Sequence, residues 1–276
     1  VCALGLCNVC AKFIEFGCVE YVSQTLHRPK AQTLRRICQL NMSGYLLRED
    51  HCMQPDISAY YDRIAHLYDT DRFGNTYGQF IDAQERAILS QLLRQTLGQR
   101  VLDVGCGTGR FLNYATHGLD ASAAMLAVAR QKQPEKHLTQ GDFFAQPYEN
   151  EYFEAAISMH VVMHIASTDL DKLLAEAHRI LKPGGQFIFD FPSKPRRTLL
   201  GYKSKNWHGA NAYALPEVQA LANAKWQIHV AQGILFLPIH RFPPFVRPFL
   251  RSFDTWLCRS FLKKYASYIV VSLVKR

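Results

Sequence analysis

The fold is decided by one short stretch, Val101-Leu102-Asp103-Val104-Gly105-Cys106-Gly107-Thr108-Gly109-Arg110. Its first four residues form an apolar, partly β-branched run that predicts a buried strand. Three glycines at alternate positions follow, and glycine lets the backbone turn sharply and lie close to a ligand. Helix-forming residues come next. The stretch therefore predicts a strand, a tight turn and a shortened helix whose first N–H groups face a ligand.

Strands alternate with helices along the rest of the chain. Strands are predicted at 101–104, up to 120, before 141, at 155–159, 186–190, 226–235 and 268–274, and helices at about 57–68, 79–96, 122–132, 169–181 and 216–224. Such alternation is typical of a parallel, doubly wound sheet. Because the last two strands lack a clean alternation with helices, we expect an antiparallel edge. The predicted fold class is α/β, with a doubly wound, mostly parallel seven-stranded sheet.

Composition excludes several classes of protein. The 276 residues are 48% hydrophobic and 20% charged, which excludes a largely disordered or collagen-like chain, and no apolar run reaches the roughly 18 residues that span a bilayer. The net charge of +9 is uneven: residues 1–52 carry +2, residues 53–193 carry −5 and residues 194–276 carry +12. The basic last third predicts a contact with a phospholipid surface, a phosphorylated substrate or nucleic acid, unless it is only a solvated face.

Cysteines are concentrated at the beginning of the chain. Six of the eight lie in residues 1–52, so the core is not a disulfide scaffold, and no second close Cys or His pair completes a zinc site. We therefore predict no metal centre and a reducing, cytoplasmic compartment. We expect residues 1–52 to be a poorly ordered, cysteine-rich extension, with a natural start at Met42 or Met53, and residues 53–276 to form the folded domain.

Carboxylates follow two later strands. Asp120 ends the second strand, where a carboxylate can accept both hydroxyls of a ribose. Asp142 follows the third strand and precedes Phe143, so that an amine and a purine face can be bound there. These residues predict a cofactor that contains adenosine. A nicotinamide enzyme is the alternative, but it requires Gly-x-Gly-x-x-Gly, and here the third glycine falls one position early.

Five ordered segments carry a resemblance to a known family. They are Val101–Arg110, Gly118-Leu119-Asp120-Ala121-Ser122 with Met125, Gly141-Asp142-Phe143, Phe153–Met159 and Leu181-Lys182-Pro183-Gly184-Gly185. With them, residues 54–276 resemble the class I S-adenosylmethionine-dependent methyltransferases, most closely the small-molecule enzymes of quinone biosynthesis. The resemblance implies the Rossmann-like methyltransferase fold, with an N-terminal helical cap, a C-terminal amphipathic helical insertion at about 237–265 and S-adenosyl-L-methionine as cofactor.

The same resemblance implies a set of binding residues. The cofactor-binding residues are expected to be Tyr60, Tyr68, Asp103, Gly105, Cys106, Gly107, Gly109, Asp120, Ala121, Met125, Asp142, Phe143 and Met159. Asp103 and the glycines would hold the methionine part, Asp120 the ribose, and Asp142 with Phe143 the adenine. The helix from Tyr60 to Tyr68 would close over the cofactor.

Methyl transfer requires mainly that the acceptor is held in line and that water is excluded, with a base only if the acceptor loses a proton. His160 and His164, after the fourth strand, are the candidate catalytic residues. His160 is predicted to be a base or a substrate contact, and His164 a base or a packing residue.

Two C-terminal features bear on the acceptor. Phe249, Leu250, Phe253, Trp256, Leu257 and Phe261 fall on one arc of a predicted helix. This arc predicts either a lid packed on the core or a helix that enters an anionic membrane. A basic loop, comprising Lys194, Arg196, Arg197, Lys203 and Lys205, is placed to meet a phosphate or a sugar nucleotide.

The resulting prediction is a cytoplasmic methyltransferase, peripheral to a membrane in one interpretation, that acts on a small-molecule or lipid-linked acceptor. An NAD(P)-dependent oxidoreductase and an RNA methyltransferase are the alternatives. Nucleic acid is disfavoured because no Asn-Pro-Pro-Tyr-type motif follows the fourth strand and no RNA-binding module is recognisable. The sequence predicts no oligomeric state.

Overall fold

The computed structural model describes residues 57–96, 98–145, 147–202 and 211–276. The predicted extension at residues 1–52 lies outside the described residues. The α-helices are α1 (Ile57–Ile64), α2 (Tyr68–Phe73), α3 (Thr76–Leu92), α4 (Ala123–Lys132), α5 (Leu170–Ile180), α6 (Lys194–Leu199), α7 (Leu215–Ala222) and α8 (Arg247–Arg259). The strands are β1 (Val101–Val104), β2 (His117–Asp120), β3 (His137–Gln140), β4 (Phe153–Ser158), β5 (Leu181–Pro192), β6 (Trp226–Ile234) and β7 (Tyr268–Lys275).

The seven strands form one sheet in the order β3-β2-β1-β4-β5-β7-β6. The first five strands pair in parallel, and β7 pairs antiparallel with both β5 and β6. This arrangement confirms the predicted fold class and the antiparallel edge. The order of connection reverses between β1 and β4, and in such sheets ligands bind at the carboxyl ends of the strands beside that reversal.

The core consists of two apolar layers, one on each face of the sheet. Alternate residues of β5 enter different layers: Phe187 and Phe189 pack with α5 and α7, and Ile188 packs with α3 and α4. All three side chains are fully buried. Burial on both faces explains why the central strands are continuous apolar runs rather than alternating patterns.

The predicted N-terminal helical cap is present, with different boundaries. The helix predicted at 57–68 ends at Ile64, and α2 begins after a turn. Helix α3 begins earlier than predicted because the side chain of Asn75 caps it, accepting hydrogen bonds from the N–H groups of Tyr77 at 3.0 Å and Gly78 at 2.9 Å.

The prediction of a helix directly after the glycine turn is wrong. Residues 105–116 form successive turns, such as the bond from the Gly109 N–H to the Cys106 carbonyl at 2.9 Å. The left-handed backbone of the three glycines prevents a helix before residue 110, and too few residues then remain before β2 begins at His117.

The C-terminal insertion lies between β6 and β7, as predicted, and its main helix is α8. This helix packs on α3 and β6 through a buried edge formed by Asp254, Leu257 and Cys258. Asp254 accepts hydrogen bonds from Gln84 Nε2 at 2.7 Å and from the Leu237 N–H at 2.6 Å. Among the described residues, no helix is both long and apolar enough to span a bilayer.

Candidate functional site

The glycine loop after β1 provides an open cradle. Gly105, Gly107 and Gly109 have φ values of 69°, 53° and 82°, in the left-handed region that favours glycine. A Cβ atom at Gly105 would lie 2.4 Å from Val161, and one at Gly109 would lie 2.9 Å from Leu112. At Gly107 a Cβ atom would meet no atom of the described residues within 4 Å. Gly107 therefore lines open space where a ligand can contact the backbone closely.

Asp120 joins this loop to the start of α4. One carboxylate oxygen accepts a hydrogen bond from the Gly107 N–H and the other from the Ser122 N–H, both at 2.8 Å. Burial raises the pKa of Asp120 despite these bonds. The carboxylate is thus held in place at the end of β2, and each oxygen keeps a further lone pair with which it can accept a ligand hydroxyl.

Asp103, at the end of β1, is a buried carboxyl group that lacks a complete set of partners. It is 2% exposed, and its Oδ2 atom has no hydrogen-bond partner among the described residues. Burial raises its pKa to about 8. Unpaired buried polar atoms are rare in proteins, and a cationic ligand group beside this oxygen would satisfy it.

Two carboxylates from the helical cap, neither of them predicted from the sequence, reach the same region. Asp62 in α1 accepts hydrogen bonds from the Ser122 hydroxyl at 2.6 Å and from the Ala124 N–H at 3.1 Å, which adds a cap to α4. Asp69 in α2 accepts a hydrogen bond from the Thr108 hydroxyl at 2.6 Å. No local signal could have revealed these contacts, because the partners lie 39 to 62 positions apart.

The remaining predicted cofactor residues surround the loop in different ways. Cys106, Met125, Phe143 and Met159 are buried, Ala121 and Asp142 are exposed, and Tyr60 and Tyr68 are half-buried. Phe143 packs in the core below the sheet edge, whereas the neighbouring Phe144 is 42% exposed. Cys106 is buried in the loop, and burial raises the pKa of its thiol.

His160 lies at the end of β4 in a strained backbone conformation, with a φ of 62°. Its backbone N–H donates to Asp190. Its ring Nε2 lies 2.6 Å from Glu85 Oε1, and its Nδ1 lies 3.5 Å from Asp190 Oδ2. The other Glu85 oxygen accepts a hydrogen bond from Arg110 at 2.6 Å. His160 is therefore fixed between two buried carboxylates, one of which also binds the glycine loop.

The charges around His160 favour its protonated form. Burial by itself would lower the pKa of His160. The Glu85 and Asp190 carboxylates raise it by more, so the pKa of His160 is higher than its usual value. Burial by itself would raise the pKa of Glu85. His160 and Arg110 lower it by more, so the pKa of Glu85 is lower than its usual value. An imidazolium whose two nitrogens both face carboxylates is poorly placed to accept a proton from a ligand.

His164 lies in the short helix after β4. Its Nε2 lies 3.1 Å from the hydroxyl of Tyr61, and the two rings meet edge to face with centroids 6.0 Å apart. Tyr61, Tyr68, His160 and His164 line one cavity of about 320 Å³. Burial raises the pKa of both tyrosines. The structure thus brings both predicted catalytic histidines and one predicted cofactor residue to a single cavity.

Comparisons with known proteins agree with this architecture. Residues 102–189 match the family model of the methyltransferase domain. An uncharacterized protein of Methanocaldococcus jannaschii is 33% identical over 55% of this chain and 58% of its own length. A demethylmenaquinone methyltransferase of Tropheryma whipplei is 31% identical over 51% of this chain and 61% of its own length. The chain therefore spans about three fifths of the curated relatives that it matches.

A solved structure shows the same fold. An S-adenosylmethionine-dependent methyltransferase of Thermotoga maritima, described as a possible histamine N-methyltransferase, superposes with a TM-score of 0.56 at 20% identity. The match covers 79% of this chain and 99% of that one.

Proposed function

We propose that this chain is a class I S-adenosylmethionine-dependent methyltransferase, which transfers a methyl group from S-adenosylmethionine to a small-molecule or lipid-linked acceptor. The observation that carries the proposal is the open cradle at Gly107 between Asp103 and Asp120. A cofactor with a cationic amino group and a ribose fits this set, because the unpaired Asp103 oxygen can bind the ammonium and Asp120 can accept the ribose hydroxyls.

Three groups of residues would hold the cofactor. Asp103 and the glycine loop would bind the methionine part, Asp120 the ribose, and Asp142 the adenine. When bound, S-adenosylmethionine supplies a methyl group that is already activated on a sulfonium. The protein then needs to orient the acceptor and exclude water, which the aromatic walls of the cavity lined by His160 and His164 are suited to do.

We assign different roles to the two histidines. His160, paired with Glu85 and Asp190, positions the end of β4 and carries charge. His164 remains the proposed base for an acceptor that must lose a proton, with Tyr61 holding its ring in the cavity. Both assignments rest on the contacts of the ring nitrogens.

Transfer of label from S-adenosylmethionine labelled in its methyl group tests the proposal. The protein is incubated with a small-molecule extract or with total RNA, and label is followed in each fraction. We expect label in the small-molecule fraction that is lost with Gly107→Ala. Label in the RNA alone would contradict the proposed acceptor class. Neither of the alternative hypotheses, an RNA methyltransferase and an NAD(P)-dependent oxidoreductase, gains support from the fold or from the relatives above.

We also propose that the enzyme acts in the cytoplasm and associates with anionic membranes through one face of α8. The residues of the predicted apolar arc differ in burial. Leu257 is buried and Leu250 is half-buried, whereas the four aromatic residues of the arc face solvent. The exposed fractions are 82% for Phe249, 53% for Phe253, 63% for Trp256 and 84% for Phe261. Because more than half of each ring is exposed, we favour the membrane interpretation over the lid.

Charge complementarity favours an anionic lipid surface as the partner of this face. Residues 237–276 contain eight Lys and Arg residues, and their only acidic residue, Asp254, is buried against Gln84. Exposed aromatic rings beside cations are the composition of an interfacial helix. Each phenylalanine that enters the interface would contribute about 1.5–3 kcal/mol at full burial.

Vesicle flotation tests this part of the proposal. The protein should float with vesicles that contain phosphatidylglycerol and less with pure phosphatidylcholine. The double substitution Phe249→Ala, Phe253→Ala should abolish flotation, and Phe144→Ala, which removes an exposed ring elsewhere, should not. Equal flotation of all three proteins, or none with either lipid, would refute membrane association.

A further inference from the structure

The cavity that contains His160 and His164 directly adjoins the cofactor loop. Its volume is about 320 Å³, at the lower end of the roughly 300–1,000 Å³ typical of small-molecule sites. The segment that follows β4 forms one wall of the cavity, and Val161 of this segment packs against Gly105 of the glycine loop. A molecule in the cavity would therefore lie next to the proposed methyl donor.

The walls of the cavity are mainly aromatic. Tyr61, Tyr68, Phe73, Tyr77 and Tyr268 come from the helical cap, α3 and the start of β7. Tyr61 and Tyr68 meet edge to face with centroids 6.0 Å apart, and Tyr68 and Phe73 do so at 6.1 Å. Such walls offer both ring edges and ring faces to a flat, apolar ligand. Pairs of aromatic rings are stabilised by more than the burial of their apolar surface alone.

Two arginines give the same cavity a positive charge. Arg72 comes from α2 and Arg197 from α6, so cations reach it from two separate elements. Arg197 is held by the carbonyl of Asn211 at 3.3 Å and lies over the ring of Tyr202 at 5.0 Å. These contacts orient the guanidinium.

The described residues that line the cavity are not acidic: no Asp or Glu lies among them. The nearby carboxylates of Glu85 and Asp190 lie behind His160, at 0% and 1% exposure, and are engaged by its ring. The surface that a guest would meet is therefore aromatic and cationic.

We propose that the acceptor is a small molecule that carries an aromatic ring and an anionic group, a carboxylate or a phosphate, which binds Arg72 and Arg197. Its assignment as the methyl acceptor rests on the proposed function. The ring packs among the tyrosines, and the anion pairs with the guanidinium groups, whose fork of donors matches carboxylate and phosphate oxygens.

Calorimetric titration of the protein saturated with S-adenosylhomocysteine tests this inference. The probes are 4-hydroxybenzoate, phenyl phosphate and phenol, which share a ring and differ in charge. We expect at least one anionic probe to bind about tenfold or more tightly than phenol, as charge-assisted hydrogen bonds allow. The better of the two anions identifies the carboxylate or the phosphate as the recognised group.

Substitutions distinguish specific binding of the anion by these two arginines from nonspecific electrostatic attraction to the protein. Arg72→Gln and Arg197→Gln should each remove most of the preference for the anion, and Arg94→Gln, an exposed arginine outside the cavity, should leave it intact. Arg197→Lys keeps a cation should Arg197→Gln fail to fold. Equal binding of phenol and the anions, no binding of either anion, or an unchanged preference in Arg72→Gln would overturn the inference. Failure of S-adenosylhomocysteine itself to bind would instead contradict the proposed function.

Discussion

Oε1 of Glu85 lies 2.6 Å from Nε2 of His160, although the two residues are 75 positions apart in the chain. The second carboxylate oxygen of Glu85 binds Arg110, whose guanidinium lies 3.9 Å from the ring centroids of Phe73 and Phe111. This buried charge network links the glycine loop to the proposed acceptor cavity. A change in it should affect both the fold and the site.

Glu85→Gln tests the contribution of this network to stability. The substitution leaves a histidine and an arginine without their shared carboxylate, and breaking a buried ion pair costs about 3–5 kcal/mol. We expect the free energy of unfolding, measured by urea denaturation, to fall by that amount. Glu149→Gln, at an exposed site, is the control and should change it little. An equal, small effect of the two substitutions would show that the network is not stabilising.

The raised pKa of His160 predicts a specific pH dependence. Burial by itself lowers this pKa, and the facing Glu85 and Asp190 carboxylates raise it to a net increase, with Arg110 opposing them. A histidine that is easier to protonate in the folded protein stabilises it fully below its unfolded pKa of about 6.5. That stability is lost as the pH rises through the folded pKa.

Unfolding measured from pH 5.5 to 9 in the wild type and in His160→Asn isolates this contribution. The difference in unfolding free energy between the two proteins should be largest at the acidic end and decrease as the pH rises. The other titratable groups are the same in both proteins, so their contributions largely cancel in this difference. A difference that grows with pH would contradict the assignment of His160 as an imidazolium.

Asp103 should release a proton when the cofactor binds. Burial raises its pKa to about 8, so the group is mostly protonated at pH 7 in the free protein. A cationic ligand beside it favours the carboxylate, and the proton leaves. Titrations with S-adenosylmethionine in phosphate and in Tris at pH 7 should give enthalpies that differ by the buffer enthalpy for up to about one proton. Asp103→Asn should remove this buffer dependence and weaken binding. An identical buffer dependence in both proteins would exclude Asp103 as its source.

Gly107→Ala distinguishes a ligand cradle from a structural turn. Gly184, with a φ of 76°, is a matched control, because at both positions an added Cβ would lie more than 4 Å from every atom in the described part of the chain. Each substitution should cost about 1–2 kcal/mol of stability for its left-handed backbone. Only Gly107→Ala should also lose most of the affinity for S-adenosylmethionine. Full affinity in Gly107→Ala would show that the open space is not the binding site.

Local sequence signals predicted the sheet well and the ion pairs not at all. The strands were predictable because the apolar runs that form β1 and β4 end in glycine or polar residues at the carboxyl edge. The role of Glu85 was hidden, since an acidic residue on an amphipathic helix usually faces solvent, and only the fold brings it to His160. The arc of α8 was predicted as one surface, but its edge at Leu257 packs on the core while Phe249 faces solvent.

Isothermal titration of the wild-type protein with S-adenosylmethionine and, separately, with NADH tests the central claim most directly. The open loop at Gly107, the unpaired Asp103 carboxyl group and Asp120 together predict saturable binding of S-adenosylmethionine at one site per chain and no binding of NADH at the same concentrations. Saturable binding of NADH without any binding of S-adenosylmethionine would contradict it.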